Sequence, residues 1–244
     1  MKVLGIIPAR FGSTRFPGKP LIDIDGKSLI RRVYEQCSKS EKLSHVVVAT
    51  DDVRIKDHVL SFGGKAVLTS EFHPSGTDRC AEAYLLLRQK NDYDYIINIQ
   101  GDEPFIKPAL IDDLIDLLDY KTEIATAVKR IEDLATLEDT NVVKAVVTMR
   151  KQALYFSRQV IPHVRGVERK DWLSKADFYK HIGIYAFRND VLEQIVKLPM
   201  NVLEQTEKLE QLRWLGYGYK ILVKETDYDS VGIDTPEDLE GLTD

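Results

Sequence analysis

The sequence contains little cysteine, with only Cys37 and Cys80 among 244 residues. Two thiols so far apart make neither a disulfide framework nor a paired-cysteine zinc motif. Each lies in a helix-like pattern, where a small buried thiol is the expected state. We therefore expect a reduced protein of the cytoplasm.

Long apolar runs and an excess of basic charge are also missing. No run approaches the roughly 18 apolar residues of a membrane span, and the amino terminus lacks the order of a signal peptide. The 34 Lys and Arg residues face 39 Asp and Glu residues, which gives a formal net charge of -5. The sequence thus predicts no membrane partner and no nucleic-acid partner. A polyphosphate ligand would need a local cluster of cations.

Short β-branched runs alternate with helical patterns along the chain. The early runs are nearly continuous in apolar residues, which is typical of a parallel sheet covered on both faces. Two later runs, at 142–147 and 181–187, alternate more and predict an antiparallel element. We expect an α/β fold in one domain over 1–244. The predicted strands are residues 2–7, 45–50, 65–68, 95–100, 124–128, 142–147, 181–187 and 220–223.

Helical spacing and local signals mark the elements between these strands. Leu29, Val33 and Cys37 share one helical face, and a second face over 55–62 ends at Gly63, where a left-handed cap is easy. Near the carboxyl end, "TPED" at 235–238 combines a cap residue, a proline and an acid three residues after the cap. That combination predicts a helix start. Asp234 stands immediately before it.

The first loop, "PARFGSTRFPGKP" at 8–20, concentrates cations directly after the first strand. In a doubly wound sheet this position is the mouth where ligands bind. Arg10, Arg15 and Lys19 can offset several negative charges there, and Ser13 can donate a hydroxyl. We therefore interpret the loop as a phosphate-binding element, with a solvated basic turn as the alternative.

Two familiar phosphate loops do not fit this stretch. Five residues separate Gly12 from Gly18, where the hydrolase P-loop has four, and Pro20 stands where that loop needs Ser or Thr. The two glycines also do not form the dinucleotide-binding pattern of alternating glycines.

Two acidic corners complement the cationic loop. "IQGDEP" at 99–104 places Asp102 at the end of a strand, and "VGIDTPEDL" at 231–239 places Asp234 against the predicted helix start. Carboxylates of this kind can bind Mg²⁺, which often bridges one or two acids to substrate phosphates. Each acid alone could be an ordinary turn residue. Together with the loop they favour phosphoryl or nucleotidyl transfer.

An ordered set of motifs resembles one family closely. The motifs are "IIPARFGSTRFPGKPL", "HPSGTDR", "NIQGDEP", "ALYFSR", "HIGIYAF", "LEQLRWL" and "VGIDTPEDL". They resemble the 3-deoxy-manno-octulosonate cytidylyltransferases, also called CMP-Kdo synthetases. The resemblance runs from residue 3 to about 240, while "HVRGVERKDWLSKADF" at 163–178 matches no motif of the family.

The resemblance implies a fold and a reaction. The fold would be that of the nucleotide-diphospho-sugar transferases, a mostly parallel mixed sheet flanked by helices. A small inserted antiparallel subdomain, at about 150–200, would bind sugar and form a homodimer. CTP and Kdo would give CMP-Kdo and pyrophosphate for lipopolysaccharide synthesis, with Mg²⁺ as cofactor.

The resemblance also implies roles for single residues. Arg10, Lys19, Asp102 and Asp234 would be catalytic, the two aspartates as metal ligands. The nucleotide-binding residues would be Arg10, Ser13, Arg15, Lys19, Ser75, Gly76, Thr77 and Gln100. The sugar-binding residues would be Arg79, Arg158, His181, Tyr185 and Gln211. Arginine suits the carboxylate of Kdo, and imidazole, phenol and amide groups suit its hydroxyls.

Two other functions stay open at this point. One is a cytidylyltransferase for another acid sugar, such as 8-amino-Kdo or a sialic acid, because the first loop does not discriminate between acid sugars. The other is a non-catalytic nucleotide-binding regulator. The combination of Lys19 with both aspartates disfavours the regulator, since binding alone does not need two acids placed to hold metal.

Overall fold

Eleven strands make up the β-structure of the described residues. A computed structural model describes residues 1–12, 16–88, 92–229, 232–233 and 235–239. The strands are β1 (Val3–Ala9), β2 (Asp23–Ile24), β3 (Lys27–Ser28), β4 (His45–Thr50), β5 (Ala66–Leu68), β6 (Tyr95–Asn98), β7 (Ile124–Arg130), β8 (Lys144–Val147), β9 (Ala153–Ser157), β10 (Tyr179–Arg188) and β11 (Ile221–Glu225).

Helices connect most of these strands. The α-helices are α1 (Leu29–Cys37), α2 (Val53–Ser61), α3 (Gly76–Arg88), α4 (Pro108–Ile115), α5 (Leu134–Glu138), α6 (Asn189–Ile195), α7 (Val202–Glu207) and α8 (Gln211–Gly216). Short 3-10 helices span Lys19–Leu21, Arg169–Ser174 and Pro236–Leu239. No helix among the described residues is long and apolar enough to cross a membrane.

The main sheet is mixed, as the sequence predicts. Its strand order is β11-β7-β10-β6-β1-β4-β5, and β8 and β9 extend it from β10. Strands β6, β1, β4 and β5 pair in parallel, and so do β7 and β11. Only β10 runs antiparallel within that order, against both β6 and β7. The start of β10 therefore lies at the edge where β6 and β7 end.

Helices cover both faces of the sheet, because apolar residues occupy both sides of the central strands. Val3 and Ile7 of β1 pack toward α1, α2 and α4, whereas Leu4 and Ile6 pack toward α3, α6 and α8. All four side chains are almost fully buried. The predicted helical face at 29–37 is buried. In the face predicted over 55–62, Ile55 and Val59 are buried, whereas Phe62 follows the end of α2 and is only partly buried. Gly63 has the left-handed φ of +80° that the sequence predicts.

The region after residue 140 contains a strand that the sequence analysis missed. β9 pairs antiparallel with β8, and β8 pairs with the first residues of β10. Gln152 then forms a bridge with Leu222, so the hairpin touches β11 at its start. The predicted antiparallel element is present, and it is larger than the two alternating runs suggested.

The segment at 163–178 shares a small core with Ile131 and Leu137. Trp172 and Phe178 are buried together and their rings stack 6.0 Å apart.

The helix start predicted at Thr235 is a 3-10 helix, and the Thr235 amide donates to Asp238 Oδ2 at 2.8 Å. The acid three residues after the cap thus makes the bond expected of it.

Candidate active site

One cavity of about 360 Å³ opens at the carboxyl edge of β1 and β6. The first loop, the start of α3 and the turn after β6 line it. Seven of the predicted site residues meet there: Arg10, Lys19, Ser75, Gly76, Arg79, Gln100 and Asp102. The topology explains the meeting, since parallel strands bring their following loops to the same edge.

Backbone geometry fixes Lys19 at this cavity. Gly18 has a φ of +74°, which favours glycine, and its amide donates to Phe11 O at 3.0 Å. That bond ties the two ends of the loop together. Lys19 begins the 3-10 helix that follows, and Pro20 is buried beneath it. The lysine side chain is 14% exposed, so it points along the cavity wall and not into bulk water.

Lys19 joins the first loop to both acidic corners. Its Nζ donates to Asp102 Oδ2 at 2.9 Å and to the carbonyl of Ile233 at 2.7 Å. The Ile233 amide in turn donates to the Asp102 carbonyl at 2.9 Å. The predicted pairing of the cationic loop with "IQGDEP" is therefore present. Ser13, Arg15 and Asp234 lie outside the described residues.

The turn after β6 presses closely on β1. A Cβ on Gly101 would lie 2.6 Å from the Pro8 carbonyl oxygen, so only glycine fits there. Asp102 is held at the cavity by this approach. Burial raises the pKa of the adjacent Glu103 to about 7, the Asp102 charge adds to that rise, and a hydrogen bond from Tyr228 opposes it.

The "SGT" start of α3 is held by an acid that the sequence analysis missed. Thr77 Oγ1 donates to Glu210 Oε2 at 2.7 Å, and Ser75 Oγ lies 3.1 Å from Glu210 Oε1 and 2.6 Å from Asp78 Oδ2. Arg213 Nη2 also donates to Glu210, at 2.7 Å. Burial raises the pKa of Glu210, and the Thr77 bond opposes that effect. The sequence did contain a signal for Glu210, because an acidic residue directly before Gln211 stands at the start of a helix, where a negative charge is favourable.

Arg79 lies in the cavity wall but is anchored in the protein. It is 4% exposed. Its Nη2 donates to Asp51 Oδ2 and its Nη1 donates to Thr69 Oγ1, both at 2.7 Å. Breaking one partner of a buried ion pair is strongly destabilising. Arg79 therefore stabilises the cavity wall, and its role toward sugar stays a prediction.

Four predicted sugar residues lie outside the lining of this cavity, and two of them, His181 and Tyr185, are in β10. His181 is half-buried, and its Nε2 is 2.9 Å from Thr126 Oγ1. Burial lowers the pKa of His181 to about 3, so the imidazole is neutral at physiological pH. Tyr185 stacks edge-on against Trp214 at 5.0 Å. Burial, with the Glu210 charge, raises the pKa of Tyr185 well above its usual value.

The remaining two sugar residues are placed by α7 and α8. Arg158 Nε donates to the carbonyl of Glu207 at 2.9 Å, and Glu207 also accepts from the Arg158 amide at 3.0 Å. Gln211 is the first residue of α8 and is 5% exposed. Gln100 links this region to the cavity, because its Nε2 donates to the carbonyl of Gly183 in β10 at 2.7 Å.

Comparison with known proteins identifies the family. The family model described as cytidylyltransferase matches residues 4–221. A 3-deoxy-manno-octulosonate cytidylyltransferase of Cytophaga hutchinsonii is 52% identical, over 100% of this chain and 97% of its own length. An 8-amino-3,8-dideoxy-manno-octulosonate cytidylyltransferase of Shewanella pealeana is 48% identical, over 98% and 96%.

A solved structure agrees with these relatives. CMP:2-keto-3-deoxy-manno-octonic acid synthetase, complexed with CTP, superposes with a TM-score of 0.90 at 43% identity, over 98% of this chain and 96% of that one. Fold, length and motifs thus agree with the resemblance read from the sequence. The chain belongs to the cytidylyltransferase family, among relatives that include the 3-deoxy-manno-octulosonate cytidylyltransferases.

Proposed function

We propose that this protein transfers the cytidylyl group of CTP to Kdo and releases pyrophosphate. The observation that carries the proposal is the Lys19 and Asp102 pair at the cavity between β1 and β6. A cation and a carboxylate held together at the mouth of a nucleotide-binding sheet suit a reaction in which phosphate charge is redistributed. The Kdo enzyme of Cytophaga hutchinsonii, 52% identical, supports the choice of sugar.

The nucleotide would bind along the cavity wall. Arg10 and Lys19 offer charge to the phosphates, and Gln100 offers an amide next to β10. Ser13 and Arg15 would complete the phosphate contacts, as the family motif implies. The hydroxyls of Ser75 and Thr77 already have acidic partners in Asp78 and Glu210. A role for "SGT" toward cytidine would therefore depend on the backbone at Gly76 or on exchange of those bonds.

The sugar would bind beside the nucleotide, against β10 and α8. The buried Tyr185 hydroxyl has no hydrogen-bond partner among the described residues, and a sugar hydroxyl would satisfy it. His181 is neutral and can accept or donate one hydrogen bond. Arg158 would pair with the carboxylate of Kdo, and Arg79 and Gln211 would supply further polar contacts.

The reaction is an in-line substitution at the α-phosphorus of CTP. The anomeric oxygen of Kdo bonds to that phosphorus, pyrophosphate leaves with the bridging oxygen as its bond to the phosphorus breaks, and the hydroxyl proton passes to water. Arg10 and Lys19 stabilise the charge that grows on the phosphate oxygens. Because the sugar oxygen attacks directly, no covalent enzyme intermediate forms.

The acids at the cavity fit Mg²⁺ as the cofactor. The described residues contain no group of three or more possible metal ligands. Mg²⁺ commonly uses one or two protein carboxylates together with substrate phosphates and water. Asp102, 30% exposed at the cavity, is such a carboxylate, and Asp234 would be the second. When bound, the ion would neutralise phosphate charge and lower the pKa of a coordinated hydroxyl.

Pyrophosphate release with CTP, Kdo and Mg²⁺ tests this function. We expect turnover that requires all three components.

Asp102→Asn should retain the fold and lose most turnover, because a neutral amide binds Mg²⁺ poorly. Lys19→Ala should lose about 10²-fold or more, the scale for one preorganised charge-stabilising group. Lys42→Ala, which removes an exposed ion pair with Asp116, is the matched control. Normal turnover in Asp102→Asn would exclude its role.

Two alternatives have distinct outcomes in the same assay. The 48% identical relative of Shewanella pealeana favours 8-amino-Kdo as a second candidate sugar. A panel of Kdo, 8-amino-Kdo and a sialic acid separates them, because a site built for a hydroxyl rejects its analogue strongly. CTP binding by calorimetry without turnover on any sugar would favour a non-catalytic regulator.

We also propose that the protein is a homodimer of the cytoplasm. The region around β8 and β9 exposes apolar side chains, with Met149 99% and Leu154 61% exposed. Such residues in one region favour contact with another copy. Cys37 and Cys80 are buried free thiols, which suits a reducing compartment.

A further inference from the structure

After β11 the chain returns to the cavity. The Thr226 amide donates to the Val128 carbonyl at 2.9 Å, and Tyr228 is 5% exposed. Ile233 then bonds Asp102 through its amide and Lys19 through its carbonyl. We call residues 226–229 and 232–233 the return segment. Its position decides where the Ile233 peptide groups meet the two proposed catalytic side chains.

Two lysines face this segment from neighbouring strands. Lys129 of β7 and Lys180 of β10 lie directly opposite each other in the antiparallel register. Their side chains are 23% and 17% exposed. Like charges in direct cross-strand register destabilise a sheet. The pair therefore needs an anion close by.

Asp229 of the return segment supplies that anion. Lys129 Nζ lies 2.9 Å from Asp229 Oδ2, and Lys180 Nζ contacts the other oxygen, Oδ1. Burial alone would raise the pKa of Asp229, but the bonds from Lys180 and Lys129 outweigh it and lower the pKa. One carboxylate thus bridges two ammonium groups on two strands. We call Lys129, Lys180 and Asp229 the charge clip.

A neighbouring ion pair lacks these properties. Arg130 pairs with Asp177, and both side chains are 54% exposed. Such a surface pair contributes little to stability. The charge clip differs in its two lysines, which are much less exposed, whereas Asp229 is 52% exposed. It also joins three elements and resolves a like-charge conflict. A local conflict that is compensated in this way is commonly found next to a functional site.

We propose that Lys129 and Lys180 are positioning residues for nucleotidyl transfer, acting through Asp229. The charge clip holds the return segment against β7 and β10, so that Ile233 stays bonded to Asp102 and Lys19. This inference rests on the proposed function of Lys19 and Asp102. Neither lysine touches the substrates in this scheme, and the effect is on the geometry of the proposed catalytic pair.

Single substitutions test the charge clip. Lys180→Met and Asp229→Asn should lower kcat by about 10-fold to 10²-fold, because small misplacements of catalytic groups carry costs of that size. Asp229→Asn should leave the KM for Kdo unchanged, because Asp229 lies on none of the elements that carry the proposed sugar residues. Arg130→Met, on the same strand as Lys129, is the matched control and should keep kcat. Unchanged kcat in both clip variants would overturn the inference.

A charge exchange separates positioning from general stability. The double variant Lys180→Asp, Asp229→Lys keeps two ammonium groups and one carboxylate in the same triad. We expect it to recover most of the kcat that Asp229→Lys alone loses. Failure of this rescue, with the variant folded as judged by its thermal unfolding, would contradict the inference.

Hydrogen exchange tests the same idea without turnover. Peptides covering residues 226–233 should exchange faster in Lys180→Met than in the wild type or in Arg130→Met. Unchanged exchange would overturn the charge clip. If exchange is faster in Lys180→Met but the wild type releases no pyrophosphate from CTP and Kdo, the proposed function is wrong and the charge clip stands. The two failures are therefore distinguishable.

Discussion

Gly101 is the residue with the closest backbone approach at the cavity. A methyl group there would meet the Pro8 carbonyl oxygen at 2.6 Å, and a backbone atom cannot move aside as a side chain can. Gly101→Ala should therefore lower the free energy of unfolding by about 1–3 kcal/mol, the usual cost of overpacking. It should also displace Asp102 and reduce turnover.

Chemical denaturation measures the first effect. Gly12→Ala is the control, because a Cβ on Gly12 meets nothing within 4 Å among the described residues. Equal stability of the two variants would show that the turn after β6 can move away from β1.

His181 makes stability depend on pH. Burial lowers the pKa of His181 to about 3, from 6.5 for an exposed imidazole. Between these values the unfolded chain binds a proton that the folded protein does not, so stability falls as pH falls below 6.5. From pH 7.5 to 5.5 the loss should be about 1.4 kcal/mol. His181→Asn should remove this component, as measured by urea unfolding at both pH values. Parallel pH curves would contradict the assignment.

The residues at the cavity could be predicted because they belong to loops that follow buried strands. Arg10 and Asp102 come within a few residues of β1 and β6, Lys19 lies near the end of the loop after β1, and the sheet brings these loops together. The partners of Ser75 and Thr77 could not be predicted in this way. Glu210 lies 133 residues from Thr77, and no local pattern links them.

At the scale of elements, Asn201 joins α7 to α8. Its Oδ1 accepts from the Glu204 amide at 2.9 Å and caps α7. Its Nδ2 donates to the Leu212 carbonyl in α8 at 3.0 Å. Asn201→Asp keeps the cap and loses the donor, so it should cost about 1 kcal/mol. Asn201→Ala loses both and should cost about 1 kcal/mol more.

Urea unfolding of the two variants separates the cap from the bond between helices. Asp133→Ala is the control for a cap alone, since the Asp133 side chain accepts only within the first turn of α5. If Asn201→Asp is as stable as the wild type, the bond to α8 contributes nothing measurable.

The predicted strands were recovered where apolar residues run continuously, because burial on both faces leaves a strong local pattern. β9 was missed for the opposite reason. Its sequence, "ALYFS", mixes buried and exposed positions, and it becomes a strand by pairing with β8. Such pairing depends on the partner strand and the register, which the segment does not contain.

At the scale of the whole molecule, the exposed apolar side chains near β8 and β9 lead to a prediction about mass. The wild type should sediment as a dimer of its 27.9 kDa chain. Met149→Lys combined with Leu154→Lys should shift it toward monomer without unfolding it, since both side chains are largely exposed. Val53→Lys, on α2 and 56% exposed, is the control. A monomeric wild type would exclude the proposed homodimer.

The domain assignment stays a prediction at this scale. One domain over 1–244, with a sugar-binding and dimerisation subdomain at about 150–200, is supported by the single sheet that contains nine of the described strands. The sequence could indicate this because βα units recur along the chain. It could not indicate how the hairpin of β8 and β9 attaches, since that depends on the length of β10.

The way the hairpin meets β11 bears on aggregation. One end of the sheet is β5, which has three residues. At the other end, the Val223 amide donates to the Lys151 carbonyl at 2.8 Å, beside the bridge of Gln152 to Leu222. Among the described strands the sheet therefore has only short free edges, on which another chain could add few backbone hydrogen bonds. Two copies would gain little from pairing such edges, so side-chain contacts at the hairpin surface would have to supply most of the stability of a dimer.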